Sequence, residues 1–210
     1  MRFDFQTSFS TPEHIVLFAS NLAVIFCAFA VFISVLIDFV EFQKRESTKK
    51  EKKSIVETGT MFLFFFLFYS LIRFKAGQLD IEASAIKMFS EMLGAIILLT
   101  GCFVNIKGRL DLGKNWANQI KIYKDHSFIF SGVYGLVRHP LYASIIWMFF
   151  GASLVYLNYA SLLANILIFI PFMRYRAKQE ESLLASEFKE YEKYQKRVGM
   201  FFPKLFQTNK

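Results

Sequence analysis

Long uncharged runs divide the chain into segments whose lengths predict membrane-spanning helices. The first run, residues 15–37, contains 23 residues without a charge, and a helix of about 20 residues crosses the hydrocarbon core of a bilayer. Two shorter runs, residues 58–72 and 92–106, predict a second and a third span. The first half of the chain is therefore predicted to contain three transmembrane helices.

A longer run in the second half predicts a helical hairpin. Residues 140–173 carry no charge, and this run is too long for a single span. Residues 156–161, Tyr-Leu-Asn-Tyr-Ala-Ser, supply a turn, so spans are predicted from 140 to about 157 and from 161 to about 174. We therefore predict an all-α fold: a polytopic membrane helix bundle of about five transmembrane helices with a cytoplasmic C-terminal helix.

The basic residues between the runs predict the orientation of these helices. Of the 25 Lys and Arg residues, 21 fall in alternate segments, namely residues 41–54, residues 107–138 and the tail from residue 174. Lys and Arg concentrate in the cytoplasmic loops of membrane proteins. We expect the N-terminus outside and the C-terminus in the cytoplasm, in the inner or plasma membrane of a bacterium or the endoplasmic reticulum of a eukaryote. The net charge of +8 is then a topology signal with attraction to the lipid bilayer, and it does not predict nucleic acid binding.

Composition narrows the class of protein further. Hydrophobic residues make up 54% of the chain and charged residues 20%, which argues against a soluble or disordered protein. Cys27 and Cys102 lie in apolar runs and form no disulfide framework. Three histidines without a metal-binding spacing lead us to expect no metal. We divide the chain into residues 1–106, with three spans and a basic loop, and residues 107–210, which carry the candidate chemistry.

One candidate site opens the predicted fourth span. Pro140 suits the first turn of a helix, and Arg138 and His139 precede it. Unpaired backbone N–H groups at a helix start attract a carboxylate or a phosphate, and Arg138 would add to this attraction. The same tripeptide is also an ordinary helix start at a membrane interface, so both interpretations stay open on these residues alone.

A second candidate lies where the predicted fifth span ends. Arg176 and Glu180 are spaced i, i+4, which is compatible with a surface ion pair worth roughly 0.3–0.5 kcal/mol, with Glu181 exposed to solvent. Alternatively, this helix leaves the same membrane face that presents Arg138 and His139. Cationic and anionic groups would then meet at one apolar mouth, and a zwitterionic cofactor would fit there.

The order of motifs from about residue 112 to residue 203 resembles the isoprenylcysteine carboxyl methyltransferase family. The matching elements are residues 126–129, Gly132-Val-Tyr134, Arg138-His-Pro-x-Tyr142, Arg176-x-x-x-Glu180-Glu181, Phe188-x-x-Tyr191-x-x-Tyr194, Arg197-Val198 and Pro203. The family consists of membrane-embedded methyltransferases that use S-adenosylmethionine. The resemblance implies methyl transfer to a lipophilic small molecule or a lipidated substrate, with a carboxylate as the expected acceptor.

The resemblance also implies roles for individual residues. Arg176 and Glu180 are the expected catalytic residues, and Arg176 and Arg138 are expected to face the substrate. The residues expected to bind the cofactor are Gln119, His126, Ser127, Phe128, Ile129, Tyr134, His139, Pro140, Leu141, Tyr142 and Glu180. The sequence contains no Gly-x-Gly, so a Rossmann-type methyltransferase site is not expected.

Three other functions are compatible with parts of this pattern. A phospholipid N-methyltransferase has a related helix hairpin and acidic pair, and an NADPH-dependent sterol-type reductase carries an Arg-His-x-x-Tyr element. Pro140 and the pair Glu180-Glu181 favour a methyltransferase over the reductase. A membrane protein without enzymatic activity is disfavoured because Arg176, Glu180 and His139 are all present.

Overall fold

The computed structural model describes residues 11–42, 48–52, 55–113, 120–123 and 128–204. Helices dominate this part of the chain, which confirms the predicted helical class. They are α1 (Pro12–Phe42), α2 (Ile55–Arg73), α3 (Ser84–Leu112), α4 (Pro140–Val155), α5 (Tyr159–Ala164), α6 (Ile170–Glu187) and α7 (Tyr191–Arg197). A π-helical turn, Asn165–Phe169, joins α5 to α6, so Tyr159–Glu187 is one uninterrupted helix.

Three of these helices are long and apolar enough to cross a membrane. They cover Pro12–Ile37, Ser84–Leu112 and Tyr159–Glu187, and two shorter apolar helices cover Gly59–Arg73 and Pro140–Val155. Phenylalanines on the outer faces are widely exposed, for example Phe29 at 64% on α1 and Phe62 at 73% on α2. A continuous apolar surface of this kind is covered by lipid rather than water. The chain is an integral membrane protein.

A small two-stranded sheet is the feature that the sequence pattern did not predict. Strands β1 (Thr48–Lys52) and β2 (Ile120–Tyr123) pair antiparallel, with Thr48 opposite Tyr123 and Lys52 opposite Ile120. The sequence pattern predicts residues 41–54 as a basic loop in an all-α protein. Strand β1 has the sequence Thr-Lys-Lys-Glu-Lys and contains no apolar residue, so it lacks the apolar–polar alternation that indicates a strand. Its pairing with a distant segment could therefore not be predicted.

Helices α3 and α4 are in close contact along their length. A Cβ atom placed on Gly94 would lie 2.5 Å from the carbonyl oxygen of Gly151, so the two backbones touch at this level. Small residues permit such approach between membrane helices. Nearer the end that bears His139, Asn105 Nδ2 donates a hydrogen bond of 2.7 Å to Ser144 Oγ. Helix α3 therefore fixes the position of α4, including the end that bears His139.

The hairpin after α4 turns at the predicted place, but the turn is shorter than expected. Asn158 caps α5 by accepting a 2.8 Å hydrogen bond from the backbone N–H of Ser161, and the helix resumes at Tyr159 rather than Ser161. It then continues past the predicted end near residue 174 as far as Glu187. The acidic pair therefore lies on the same rigid helix as the predicted fifth span.

Candidate active site

The predicted helix start at Pro140 is confirmed and is braced by the C-terminal segment. Pro140 occupies the first turn of α4, with His139 just before it. The backbone N–H of Arg138 donates to Gly199 O at 2.8 Å, and that of His139 donates to Met200 O at 3.2 Å. A short stretch of main-chain pairing thus connects the helix start with residues that lie about 60 positions later in the sequence.

The turn that leads into this helix start depends on one glycine. Gly132 has φ of +60° and a Cβ atom there would lie 2.1 Å from Asp111 Oδ2. Residues with a side chain rarely adopt this conformation. Asp111 Oδ2 accepts a hydrogen bond of 3.0 Å from the backbone N–H of Val133. The end of α3 therefore holds the turn Gly132–Gly135 directly beside the site.

In its described contacts, the Arg138 side chain donates only to groups of the protein itself. Its Nε donates to Glu181 Oε1 at 2.7 Å, and its Nη1 donates to the carbonyl oxygens of Gln195, at 3.1 Å, and Val198. The side chains of Arg138 and Glu181 are each only 9% exposed. This arrangement stabilises the contact between α4, α6 and α7, because each buried charge has a hydrogen-bonded partner.

Glu181 is buried, so the expectation that it is solvated is wrong. Its Oε1 accepts a hydrogen bond from Arg138 Nε and lies within hydrogen-bond distance of His139 Nε2. Its Oε2 accepts a 3.0 Å hydrogen bond from Gln195 Nε2. Helical spacing places Glu181 about 100° around the helix from Glu180, but α7 and the start of α4 cover that face. Both carboxylate oxygens are therefore engaged within the protein.

His139 lies between the two carboxylates. Its Nε2 is 3.0 Å from Glu181 Oε1 and its Nδ1 is 3.5 Å from Glu180 Oε2. Burial lowers the pKa of His139, but the hydrogen bonds to Glu180 and Glu181 outweigh this effect and hold the pKa above its usual value of 6.5. The Glu180 side chain is 35% exposed, in contrast to its neighbour Glu181.

Tyr142 connects the histidine to the arginine of the second candidate cluster. The ring of Tyr142 stacks on that of His139 with centroids 5.6 Å apart and planes 10° apart. The Arg176 guanidinium lies over Tyr142, with Cζ 5.7 Å from the ring centroid, which is within the range of a cation–π contact. Arg176 is 8% exposed, and an exposed ion pair with Glu180 is therefore excluded. His139, Tyr142, Arg176 and Glu180 form one cluster.

Aromatic residues enclose the other side of the helix start. Tyr134 is buried in the turn Gly132–Gly135, and its carbonyl oxygen accepts a 2.6 Å hydrogen bond from the Tyr194 hydroxyl. The ring of Phe128 lies 5.6 Å from that of Phe188, and also contacts the rings of Tyr191 and Tyr194. Burial raises the pKa of the Tyr134 phenol, so this hydroxyl stays protonated at neutral pH.

The remaining predicted residues fall into two groups. Gln119, His126 and Ser127 lie outside the described residues. Ile129 is partly buried next to Phe128, and Leu141 lies against Gly108 of α3.

Within the described residues, no group of three or more His, Cys, Asp or Glu side chains is arranged to hold a metal ion.

Three residues that contact the site were not predicted from the sequence. Gln195 binds Glu181, Phe201 packs on the His139 ring with centroids 6.3 Å apart, and Met61 of α2 contacts Arg176. These residues lie 14, 62 and 115 positions from their respective partners. No periodicity or local motif indicates contacts over such separations, although the motif ending at Tyr194 correctly indicated that α7 takes part.

The comparisons with known proteins match the part of the chain that contains this cluster. Residues 93–186 match the model of the Isoprenylcysteine carboxyl methyltransferase (ICMT) family. The matched segment begins in α3, contains the start of α4, and ends near the C-terminus of α6. It includes Arg138, His139, Arg176, Glu180 and Glu181. The resemblance indicated by the motifs is thus confirmed over this segment.

Two curated yeast proteins are similar to the chain over part of its length. A protein-S-isoprenylcysteine O-methyltransferase of Saccharomyces cerevisiae is 30% identical over 115 residues, which cover 53% of this chain and 48% of that protein. The protein of the same name from Schizosaccharomyces pombe is 29% identical over 109 residues, covering 50% and 46%. The similarity thus spans about half the length of these curated relatives.

A solved structure supports the fold. The eukaryotic intramembrane Ras methyltransferase ICMT, solved without a monobody, has a TM-score of 0.61 with this chain and 22% sequence identity. The likeness covers 93% of this chain and 69% of that one. It shows that the two chains share a fold, and it extends to α1 and α2, which precede the segment matched by the family model.

Proposed function

We propose that the chain is an integral membrane methyltransferase that transfers a methyl group from S-adenosylmethionine to the carboxylate of a lipophilic acceptor, such as a prenylated cysteine. The observation that carries this proposal is the pairing of a buried cation with a partly exposed carboxylate at an apolar site. Arg176 and Glu180 approach the stacked rings of Tyr142 and His139 from the same helix. The matched family segment and the names of the relatives support the same activity.

The residues of this cluster fit a zwitterionic sulfonium cofactor. Glu180 can accept hydrogen bonds from an amine or from hydroxyl groups, since its side chain is accessible while Glu181 is engaged internally. The ring faces of Tyr142 and Tyr134 would favour a cation or an adenine ring. S-adenosylmethionine, when bound, would supply a methyl group activated by its positively charged sulfur. We assign His139, Pro140 and Leu141 to the same binding region, with Phe128 and Ile129 beside it.

Arg176 is the residue that we assign to the acceptor carboxylate. A guanidinium donates two parallel hydrogen bonds to a carboxylate, which fixes its orientation as well as its position. A carboxylate is already ionised at neutral pH, so no general base has to remove a proton from it. The apolar surroundings of Arg176 would exclude water from the attacking oxygen, and alignment would supply most of the rate enhancement.

Arg138 and Glu181 act in this proposal by positioning the site. The ion pair between them connects the start of α4 to α6, and Gln195 joins α7 to the same carboxylate. His139 is held by hydrogen bonds from both sides, so the ring that supports Tyr142 cannot rotate freely. We therefore assign substrate contact to Arg176 and not to Arg138, whose donors serve the internal network.

The contacts at the two ends of the bundle support the alternation of loops in the proposed topology of five spans, in which the charge pattern puts the N-terminus outside. At one end, Lys87 Nζ lies 2.8 Å from Glu13 Oε1, and Gln78 pairs with Asn158 of the hairpin turn. At the other end, β1 pairs with β2, joining two of the three basic segments. Loops that the charge pattern assigned to the same side are thus in contact. We propose that the end bearing the active site faces the cytoplasm, at the endoplasmic reticulum in a eukaryote or the inner or plasma membrane in a bacterium.

A radiolabel assay tests the function. The purified full-length protein in detergent would be incubated with methyl-tritiated S-adenosylmethionine and N-acetyl-S-farnesylcysteine. We expect label in a product that releases methanol with alkali, as a methyl ester does, and no label with the corresponding carboxamide. Label transferred only to the amine of phosphatidylethanolamine, or to no acceptor, would overturn the proposal.

A further inference from the structure

We infer that Met61 of α2 determines which acceptors fit beside Arg176, an inference that rests on the proposed function. Met61 Sδ lies 2.8 Å from Arg176 Nη1. Helix α2 precedes the segment that matches the family model. The wall of the site on this side is therefore contributed by a part of the chain to which neither the motifs nor the family match assigns a role.

The packing of α2 fixes the direction in which Met61 points. Met61, Phe64 and Phe68 recur at intervals of three and four residues, so they share one face of the helix. The Phe64 ring stacks on Phe169 with centroids 4.6 Å apart, and the Phe68 ring lies 4.4 Å from that of Phe149. These two contacts hold α2 against α4 and the π-helical turn.

The opposite face of α2 lies toward lipid. Phe62 and Leu63, which follow Met61 directly, are 73% and 67% exposed, whereas Met61 is partly buried. Rotation of α2 about its axis would bring these exposed residues against the bundle and would expose Phe64 and Phe68. The anchored orientation therefore keeps the thioether of Met61 next to Arg176.

The chemistry of this contact makes it exchangeable. A thioether sulfur is a weak hydrogen-bond acceptor, whereas an ionised carboxylate forms short, strong hydrogen bonds with a guanidinium. A carboxylate that binds Arg176 through Nη1 would occupy the position of the Met61 sulfur. Methionine is unbranched and has three rotatable side-chain bonds, so Met61 can turn aside without movement of α2.

The displaced side chain stays beside the bound acceptor. Since Met61 is attached to an anchored helix, it would contact the atoms nearest the carboxylate rather than the distant end of an apolar tail. The volume of residue 61 would then limit how large a group the acceptor carries next to its carboxylate. This makes residue 61 a determinant of selectivity between acceptors, in addition to Arg176, which any carboxylate would use.

Steady-state kinetics with two acceptors test this role. The probes are N-acetyl-S-farnesylcysteine and N-benzoyl-S-farnesylcysteine, which differ only beside the carboxylate. Met61→Ala should raise the ratio of kcat/KM for the benzoyl over the acetyl compound about tenfold, the low end of what pocket size commonly achieves. The KM for the acetyl compound should rise, and kcat should change little. The separate variant Met61→Leu, which keeps most of the side-chain volume, should have the selectivity of the wild type.

The matched control is Leu63→Ala, which removes a similar volume from the lipid-facing side of the same helix. Binding of S-adenosylhomocysteine, measured by calorimetry, should be equal in the wild type and all three variants, which would show that the site is intact. An unchanged ratio of the two acceptors in Met61→Ala, or an equal change in Leu63→Ala, would overturn the inference while the wild type remains a methyltransferase. Absence of methyl transfer in the wild type would instead overturn the proposed function, and this inference with it.

Discussion

The side chains of Arg138 and Glu181 form a buried ion pair in which Nε lies 2.7 Å from Oε1. The pair joins two segments that are 43 residues apart. The two adjacent carboxylates therefore have different roles. Both oxygens of Glu181 bind groups within the protein, whereas the side chain of Glu180 stays accessible. Stability is therefore expected to depend on Glu181, and ligand binding on Glu180.

Glu181→Gln should destabilise the protein strongly. The substitution leaves the buried guanidinium of Arg138 without its counter-charge, and breaking one side of such a pair typically costs about 3–5 kcal/mol. Unfolding in mixed micelles with an increasing fraction of SDS would measure the free energy of unfolding of each variant. Glu192→Gln, an exposed position on α7, is the control and should be close to wild type. Equal stability of the two variants would contradict the structural role of Glu181.

The stability of the protein should depend on pH through His139. The hydrogen bonds to both carboxylates hold the pKa of His139 above its usual value, so the folded protein binds this proton more tightly than the unfolded chain does. The contribution is therefore complete below about pH 6.5 and is lost as the pH rises through the raised pKa of the folded state.

Comparison of the wild type with His139→Gln isolates this contribution, since other titrating groups are common to both. The stability advantage of the wild type should shrink as the pH is raised from 6 to 9. An advantage that is constant, or that grows with pH, would show that the imidazole is neutral in the folded protein.

Arg176→Lys should impair the acceptor step and spare the cofactor. Lysine keeps the charge but loses the planar pair of donors, which is not a conservative change at a carboxylate site. We expect the KM for a prenylcysteine to rise about tenfold, equivalent to about 1.4 kcal/mol, with unchanged binding of S-adenosylhomocysteine. Arg174→Lys, at an exposed position on the same helix, should behave as wild type. Equal kinetics in both variants would refute the assignment of Arg176 to the acceptor.

Single cysteines should report the proposed topology. Thr11→Cys and Glu82→Cys lie at one end of the bundle and Lys189→Cys at the other, all at exposed positions. The native Cys27 and Cys102 are buried. In intact cells or sealed vesicles, an impermeant maleimide should label positions 11 and 82 only from outside and position 189 only from the cytoplasmic side. Labelling of positions 11 and 189 from the same side would exclude an odd number of spans.

The local features of the site could be predicted from the sequence. A proline in the first helical turn fixes where α4 begins, and this alone places His139 before the helix and Tyr142 in its first turn. Uncharged runs indicate helices because a lipid environment requires every backbone group to be paired within the segment. These predictions depend on neighbouring residues, and the structure agrees with them.

The partners of these residues could not be predicted in the same way. Helical spacing correctly separates Glu180 from Glu181 but does not say which of them faces another helix, so Glu181 was wrongly expected to be solvated. The contact between Arg176 and Met61 spans 115 residues and depends on how α2 packs. The π-helical turn Asn165–Phe169 within the predicted fifth span was also not predicted, and there the amide of Asn165 donates to Ile146 O in α4.

Glu180 and the residues around it are proposed to bind S-adenosylmethionine, and calorimetric titration with S-adenosylhomocysteine tests this binding. The purified wild type should bind one equivalent in competition with S-adenosylmethionine. Glu180→Gln should weaken binding about tenfold to a hundredfold, since a hydrogen bond to a charged group contributes about 1.5–3 kcal/mol. The control, Glu192→Gln, should bind as the wild type does. Equal affinity of Glu180→Gln and Glu192→Gln, or no binding by the wild type, would contradict the assignment of Glu180 to the cofactor.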